Sequence, residues 1–389
     1  MARDGFEQLA FLNMSKLIFE PIDHAGKPGL NGFGAVVRSG VRLADLDDQE
    51  FESIRQAMYD YQVLVIKGQQ DLSPKDQAEF FGRFDPLPAV CIGDDERQRT
   101  SVWRDLECNP WELEKERSGK HDIKLKGCPE ILVIGQGHYE HDGKVSQLGG
   151  AHKNYGMSVA NSQVVGGNQL QWHIDGAFYQ TLPPAVTGLL CKEAPASANV
   201  AIEYAGGRLE FRPGATAFVS GTTAYELLSD EDKRWAQKAS VHYGINPFSR
   251  VLGLSTSNDG INLIDDGRDY TDAFEREASD PGCMTHPMIW TNPVTGKAAL
   301  QVHARCMLCI EIDGKRLGVL ESRDLLHRLM RPAVDPALVY CHGHEPGDLA
   351  LWDNFSVWHS ATGSLAPDDH RVMHMASFNG SQSPSYQAT

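Results

Sequence analysis

The stretch Gln171-Trp172-His173-Ile174-Asp175-Gly176 places a histidine and an aspartate two positions apart. Side chains on a β-strand alternate between its two faces, so His173 and Asp175 would point to the same side. An imidazole nitrogen and a carboxylate oxygen on one face can bind one metal ion without bending the backbone. A His-x-Asp pair alone is weak evidence, because a metal site here needs a third ligand from elsewhere in the chain.

His359, in Val357-Trp358-His359-Ser360 far downstream, is the predicted third ligand. Two histidines and one carboxylate on one side of a metal leave the opposite side open, as in the facial triad of non-heme iron(II) oxygenases. Because His359 is so distant in sequence, only the fold can bring it to His173.

Other histidines compete for this role. His342 and His344 share a strand face, but no carboxylate lies beside them at strand spacing, since Glu345 points the other way. Two histidines are isolated: His286 and His303. Two others flank Arg371 and stay open as pocket residues: His370 and His374.

The composition is compatible with one large hydrophobic core or two modest ones. The chain has 389 residues, 41% of them hydrophobic, and a net charge of −16. That acidity argues against nucleic acid or an anionic membrane as a partner. Apolar runs stay short of the ~18 residues that span a bilayer, and the amino end lacks an apolar signal core, so we expect a cytoplasmic protein. We expect residues 1–16 to be a flexible extension and 17–389 to form a single domain.

The eight cysteines show no disulfide spacing and are predicted to be free thiols. Cys306 and Cys309 form a C-x-x-C in a segment, 298–310, that we interpret as one strand. Positions three apart on a strand face opposite sides, so packing is favoured over a metal or redox pair.

Apolar periodicity and capping residues predict a few helices among many short strands. The helices are 48–61, one starting after the N-cap Ser73, one after the N-cap Ser229, and one over 325–330 that Pro332 stops. The strands are 35–37, 63–66, 131–134, 185–191, 215–219, 239–243, 298–310 and 348–352. This pattern, without a repeat or a G-x-G-x-x-G after a strand, favours a mainly β double-sheet jelly roll with helical decoration.

Residues 88–170 are predicted to be a variable insertion. The 88–128 part is charged and irregular, and Gly135 to Asn168 is expected to be rich in loops. A solvated surface insertion and a lid over the pocket are both compatible with this composition.

Five stretches, in order, resemble the Fe(II)/2-oxoglutarate-dependent dioxygenases of the TauD/TfdA family. They are Val63 through Phe84, Trp172 through Asp175, Gly214-Ala215-Thr216 with Ala224 through Leu228, His286 through Gly296, and Trp352-Asp353-Asn354 through His359 and Arg371. The resemblance implies the family's jelly roll, the double-stranded β-helix of the clavaminate synthase type. It also implies that His173, Asp175 and His359 bind Fe(II).

The same resemblance assigns the co-substrate site. Arg371 would pair with the distal carboxylate of 2-oxoglutarate, Thr216 would hydrogen-bond it, and Trp352 would pack near the iron. A planar guanidinium suits a carboxylate because it binds it through two parallel hydrogen bonds. O2 would then convert 2-oxoglutarate to succinate and CO2 while a substrate C–H bond is oxidised. Asp175 favours oxygenation, most simply hydroxylation, over halogenation, because halogenating relatives lack this carboxylate.

The nearest resemblance within the family is to a fungal branch that includes xanthine dioxygenase. That branch carries Gln and Asn four and six residues after the 2-oxoglutarate arginine, where this chain has Met375 and Ser377. Without those amides the polar edges of a purine would be unpaired, so a less polar small molecule, such as a fungal secondary metabolite, is favoured over xanthine. The candidate substrate-pocket residues are Gln169, Phe178, Tyr179, His374 and Met375.

Two alternatives of another class stay open on the residues alone. One is a jelly-roll metal-binding pseudoenzyme, and the other is a zinc hydrolase with three protein ligands and a water. Against the hydrolase, the chain has no H-E-x-x-H motif that would supply a general base. We expect a small-molecule partner, and the sequence leaves a homo-oligomer open.

Overall fold

The structure is a computed structural model. It describes residues 17–38, 42–85, 123–125, 128–141, 143–149, 170–179, 181–204, 207–244, 256–263, 271–280, 282–362, 365–366 and 368–387. The predicted extension over 1–16 lies outside these residues, as does most of the 88–170 insertion, so the domain boundaries and the lid stay predictions.

Strands dominate the described residues. They are β1 (Ile18–Pro21), β2 (Ala35–Arg38), β3 (Val63–Ile66), β4 (Ile123–Leu125), β5 (Cys128–His141), β6 (Lys144–Gly149), β7 (Val186–Glu193), β8 (Val200–Tyr204), β9 (Gly207–Phe211), β10 (Thr216–Ser220), β11 (Ala239–Tyr243), β12 (Met284–Pro287), β13 (Ile289–Thr291), β14 (Ala298–Leu300), β15 (Met307–Ile312), β16 (Lys315–Arg316), β17 (Tyr340–His342), β18 (Leu349–Asp353), β19 (Val357–Ala361) and β20 (Arg371–Ser377).

The described helices are fewer and mostly short. The α-helices are α1 (Asp48–Tyr61), α2 (Pro74–Gly82), α3 (Gly221–Glu226), α4 (Asp230–Ala236), α5 (Thr271–Glu277) and α6 (Val319–Met330). Short 3-10 helices cover Pro28–Leu30, Leu43–Asp45, Arg331–Val334 and Pro336–Leu338. No helix in the described part of the chain is long and apolar enough to cross a membrane.

Two sheets enclose the main core. The larger runs β1-β2-β3-β18-β7-β20-β5-β4, with β6 paired to β5, and the smaller runs β17-β10-β19. The rings of Phe218 on β10 and Trp352 on β18 lie 5.4 Å apart, so the sheets pack face to face. The predicted jelly roll is therefore confirmed.

Helices α1 and α2, which the apolar spacing and caps predicted as helices, cover the outer face of the larger sheet. Asp47 and Glu50 form a capping box at α1, and the Ser73 side chain accepts the N–H of Asp76 at α2. Phe51 and Phe81 from these helices share a buried cluster with outer-face side chains of the sheet, such as Val372.

Two predictions about secondary structure away from the His173–Asp175 motif were wrong. The segment from Gly135, expected as loop, continues β5 to His141 and returns as β6, because a glycine at 135 lets β5 pass close to β20: a Cβ there would overlap the carbonyl oxygen of Arg371. The predicted strand 298–310 is broken by a turn into β14 and β15.

Cys306 therefore lies in a turn and only Cys309 on a strand, so the strand argument for these residues does not hold. Both thiols are nevertheless buried and free, and the other cysteines within the described ranges are also free thiols, of which Cys283 and Cys341 are only partly buried. Packing cysteines are confirmed there.

Candidate active site

His173 and His359 meet in an isolated antiparallel bridge between the motif loop and β19. Each backbone N–H donates to the carbonyl oxygen of the other residue at 3.0 Å, and the two rings are 4.0 Å apart. The expectation of a full strand at His173–Asp175 was wrong, because only this bridge is regular and Asp175 already begins a turn. The bridge, rather than strand alternation, aligns the two histidines.

The side chains of His173, Asp175 and His359 converge. One ligand atom from each lies within 4.8 Å of the other two, the only such group among the described residues. Nε2 of His359 is 3.7 Å from Oδ2 of Asp175. A single cation at their centre would be bound by two nitrogens and one oxygen, which fits the facial triad.

Backbone and amide contacts fix these ligands. Nδ1 of His173 is 2.7 Å from the carbonyl oxygen of Gln171, so Nδ1 carries the proton and Nε2 is left as a metal ligand. Asn354 holds the Asp175 backbone at both ends: its Oδ1 accepts the Asp175 N–H at 2.9 Å, and its Nδ2 donates to the Asp175 carbonyl at 2.9 Å. Sequence analysis missed this role of Asn354, although it lies in the Trp352-Asp353-Asn354 motif.

The electrostatics of the triad suit a cation. Burial raises the pKa of the Asp175 carboxyl, an effect that the neighbouring His173 opposes. Burial and the proximity of His173 hold the pKa of His359 well below its usual range, so its imidazole is neutral. Oδ2 of Asp175 is buried with no hydrogen-bond partner among the described residues. An orphaned carboxylate oxygen beside a neutral imidazole is costly unless a positive ion binds there.

Arg371, the first residue of β20, is also buried. Its Nε donates to the carbonyl oxygen of Gly214 at 2.7 Å. Burial lowers its pKa to about 10, so the guanidinium is still charged at neutral pH. In the described chain no carboxylate lies within ion-pair distance of Arg371. A buried guanidinium of this kind suits an anionic ligand.

Thr216 is linked to Arg371 only through Gly214, and Trp352 lies beside the triad. Thr216 begins β10, two residues after Gly214, and its Oγ1 is 2.8 Å from Nε2 of His344. The Trp352 ring packs 4.5 Å from the ring of His359, which places it in the wall beside the triad.

A neighbour of His173 was missed from the sequence. The His303 ring is 5.4 Å from that of His173 and 5.6 Å from that of Phe178, and the Tyr179 ring packs against that of Phe178. Phe178 and Tyr179 both stay predictions as pocket residues. His303 is isolated in the sequence, and it lies beside His173 because the chain turns between β14 and β15. Burial, chiefly, lowers its pKa well below the usual range.

The two neighbouring pocket candidates on β20, Met375 and His374, face opposite sides of the sheet. Met375 faces the inner core with Leu132 and Leu189, which pair with it across β5 and β7. His374 faces the other way: its Nε2 is 2.8 Å from the Tyr139 hydroxyl on the outer side of β20. Its assignment to the substrate pocket is therefore withdrawn. Gln169 lies outside the described residues.

The model of the taurine catabolism dioxygenase TauD, TfdA family matches residues 25–377, nearly the whole chain. The chain belongs to this family. It is 32% identical to an alpha-ketoglutarate-dependent xanthine dioxygenase of Neurospora crassa over 96% of this chain and 89% of that protein. It is 28% identical to an alpha-ketoglutarate-dependent dioxygenase of Alternaria brassicicola, over 92% of each chain.

Among solved structures, a taurine dioxygenase from Burkholderia xenovorans has the same fold, with a TM-score of 0.55 at 18% identity over 94% of this chain and 91% of that one. Alpha-ketoglutarate is 2-oxoglutarate, and this TauD/TfdA member is a 2-oxoglutarate-dependent dioxygenase, an oxidoreductase that acts on a small organic molecule. The pseudoenzyme and zinc hydrolase alternatives gain no support from these relatives.

Proposed function

We propose that His173, Asp175 and His359 bind Fe(II), that Arg371 and Thr216 bind the distal carboxylate of 2-oxoglutarate, and that the enzyme hydroxylates a largely apolar small molecule. The observation that carries the site assignment is the convergence of the three ligand atoms within 4.8 Å. The buried Arg371, whose Nε is already fixed by Gly214, supports the co-substrate assignment.

When bound, Fe(II) with 2-oxoglutarate and O2 supplies the oxidising equivalent that attacks a substrate C–H bond. The protein residues hold the reactants and exclude water. Asn354 fixes the backbone of Asp175, and the carbonyl of Gln171 fixes the tautomer of His173. Trp352 packs against His359 and forms part of the pocket wall. Arg371 and Thr216 would orient the distal carboxylate of the co-substrate.

An apolar row supports the substrate class. Leu132, Met375 and Leu189 lie side by side across three adjacent strands and face the inner core. Ser377, two residues further along β20, is 3.2 Å from the Thr187 hydroxyl and is buried. In the xanthine-oxidising branch these two positions carry amides. Here Met375 presents a thioether, and the hydroxyl of Ser377 is already hydrogen-bonded to Thr187. Such a wall would leave the polar edge of a purine unpaired.

Xanthine is the second candidate, since the Neurospora crassa relative is a xanthine dioxygenase. The experiment is succinate release by the Fe(II)-loaded enzyme with 2-oxoglutarate, comparing xanthine with a panel of terpenoid and other apolar fungal metabolites. Stimulation by an apolar compound and none by xanthine is expected. Efficient xanthine oxidation would overturn the proposed substrate class and leave the metal site untouched. A cytoplasmic location and the oligomeric state stay predictions.

A further inference from the structure

A buried polar cluster lies behind the proposed carboxylate pocket. Thr216 pairs across β10 and β17 with His342, and His344 follows two residues later. The rings of His342 and His344 are 4.6 Å apart, nearly perpendicular, and both are buried. His344 has no place in the site as assigned above, yet it bonds directly to Thr216.

His344 uses one ring nitrogen in a short hydrogen bond to Thr216, and its other ring nitrogen has no partner among the described residues. Nε2 of His344 is 2.8 Å from Oγ1 of Thr216, whereas Nδ1 of His344 is buried with no hydrogen-bond partner among the described residues. The ring is neutral, because burial first, and then its surroundings, which include the charged side chains of Arg371 and Lys67, lower the pKa of His344 well below the usual range. A neutral imidazole has one N–H and one bare nitrogen, so the tautomer decides the direction of this bond.

The two tautomers have opposite consequences for Thr216. If Nε2 were bare, the Thr216 hydroxyl would donate to it and could not donate to a ligand. Nδ1–H of His344 would then be a buried donor without an acceptor, which folded proteins rarely tolerate. If Nε2 carries the proton, it donates to Thr216 Oγ1, and the hydroxyl proton is free to point at an anion. A donor chain that ends on a carboxylate is strengthened along its length.

We propose that His344 is a positioning residue for the co-substrate: its Nε2–H donates to Thr216 and thereby directs the Thr216 hydroxyl to the distal carboxylate of 2-oxoglutarate. This inference rests on the proposed function, since it takes Arg371 and Thr216 as the carboxylate site. His342 has a different role. Its Nδ1 bonds the Tyr340 hydroxyl at 2.9 Å and its Nε2 lies 3.2 Å from Asp348, so it offers a matched control.

The test measures the Kd of 2-oxoglutarate for Mn(II)-loaded protein by calorimetry without O2, beside KM and kcat in turnover. His344→Gln places an amide N–H near the position of Nε2, whereas His344→Asn places it near Nδ1, out of reach of Thr216. We expect His344→Asn and His344→Leu to weaken 2-oxoglutarate binding about 10-fold, the effect of one hydrogen bond to a charged ligand. His344→Gln should restore most of that affinity, and kcat at saturating 2-oxoglutarate should change little.

A double-mutant cycle separates positioning from general damage. Thr216→Val should weaken 2-oxoglutarate binding, and adding His344→Leu to it should have no further effect, because His344 acts on the ligand only through the hydroxyl that Thr216→Val has already removed. His342→Leu should leave the Kd unchanged. Additive losses, or equal Kd values for the Gln and Asn variants, would overturn the role of His344.

Arg371→Ala identifies which proposal fails. If Arg371→Ala abolishes 2-oxoglutarate binding while His344→Leu binds normally, only this inference is wrong. If Arg371→Ala also binds normally, the assignment of the carboxylate site fails, and the role of His344 fails with it.

Discussion

His173 and His359 face each other as a single antiparallel bridge, each donating its backbone N–H to the other at 3.0 Å. The bridge ties the motif loop to β19 and sets two imidazoles 4.0 Å apart before any metal is considered. The third member of the triad has a different support, because Asp175 lies in a turn whose backbone is held by the Asn354 side chain. The carboxylate is therefore the ligand whose position depends most on one neighbouring side chain.

Asn354→Ala is expected to weaken metal binding although all three ligands stay in place. It removes both bonds to the Asp175 backbone and a third to the carbonyl of Pro184, so the carboxylate loses its fixed orientation. Loss of such an outer partner typically costs about 10–100-fold in metal affinity. Anaerobic calorimetry with Mn(II) measures this, with Asp175→Ala as the reference for complete loss.

Asn292→Ala is the matched control for that prediction. Asn292 is equally buried, and its side chain bonds Asp353 and Ser356 rather than a triad residue. It should lower the melting temperature and leave metal affinity unchanged. Equal loss of affinity in the two variants would mean that Asn354 acts only through overall stability.

Gly214→Ala is expected to raise KM for 2-oxoglutarate about 10-fold or more. A Cβ at 214 would lie 2.8 Å from Cδ of Arg371 and would displace the guanidinium from the Gly214 carbonyl. The backbone there also has φ +73°, which costs a non-glycine residue roughly 1–2 kcal/mol. Gly296→Ala separates the two effects, because Gly296 has φ +70° with open space around its Cβ position. The prediction is wrong if both variants lose comparable stability and KM is unchanged in both.

The sequence was most informative where local chemistry decides the outcome. Capping residues and apolar spacing predicted α1 and α2, and the ligand types of His173, Asp175 and His359 predicted a convergence that the structure shows. The caps and the apolar spacing depend on short-range rules, whereas the ligand types only predicted that the fold would bring His359 to His173 and Asp175.

The parts that could not be predicted depend on register and turns. Met375 and His374 are adjacent in sequence, but only the pairing of β20 with β5 and β7 decides which of them faces the core. His303 reaches His173 because the backbone turns after β14, in a segment whose composition is typical of a continuous strand. Asn354 carries a motif signal, but its bonds to the distant Asp175 depend on the fold.

Met375→Gln is expected to destabilise the protein. It should also reduce the fraction of 2-oxoglutarate turnover that is coupled to oxidation of an apolar substrate. The amide would replace a thioether between Leu132 and Leu189, where neither cross-strand neighbour offers a hydrogen bond. An unpaired buried amide costs about 1–3 kcal/mol. Chemical denaturation measures the stability, and the ratio of product to succinate measures coupling.

Met375→Leu is the conservative counterpart, and it should change stability by less than about 1.5 kcal/mol because volume and polarity are kept. If the Gln variant is as stable as the Leu variant, a polar group already faces Met375 and the apolar wall does not exist.

Asp353 is expected to make stability fall as the pH rises from about 4 to about 7. Burial, opposed by hydrogen bonds from Ser356, the Phe355 N–H and Asn292, raises the pKa of Asp353 to about 7. The ordinary carboxyl value is 3.8, so between these values the folded state binds a proton that the unfolded state has lost. The contribution of this group is fully present below pH 3.8 and is lost as the pH rises through 7, with a slope of up to about 1.4 kcal/mol per pH unit.

Asp353→Asn removes the titration, so denaturation series at pH 5 and pH 8 should give a smaller difference in unfolding free energy for the variant than for the wild type. The same difference in both proteins would show that Asp353 is ionised throughout and stabilised by its three donors.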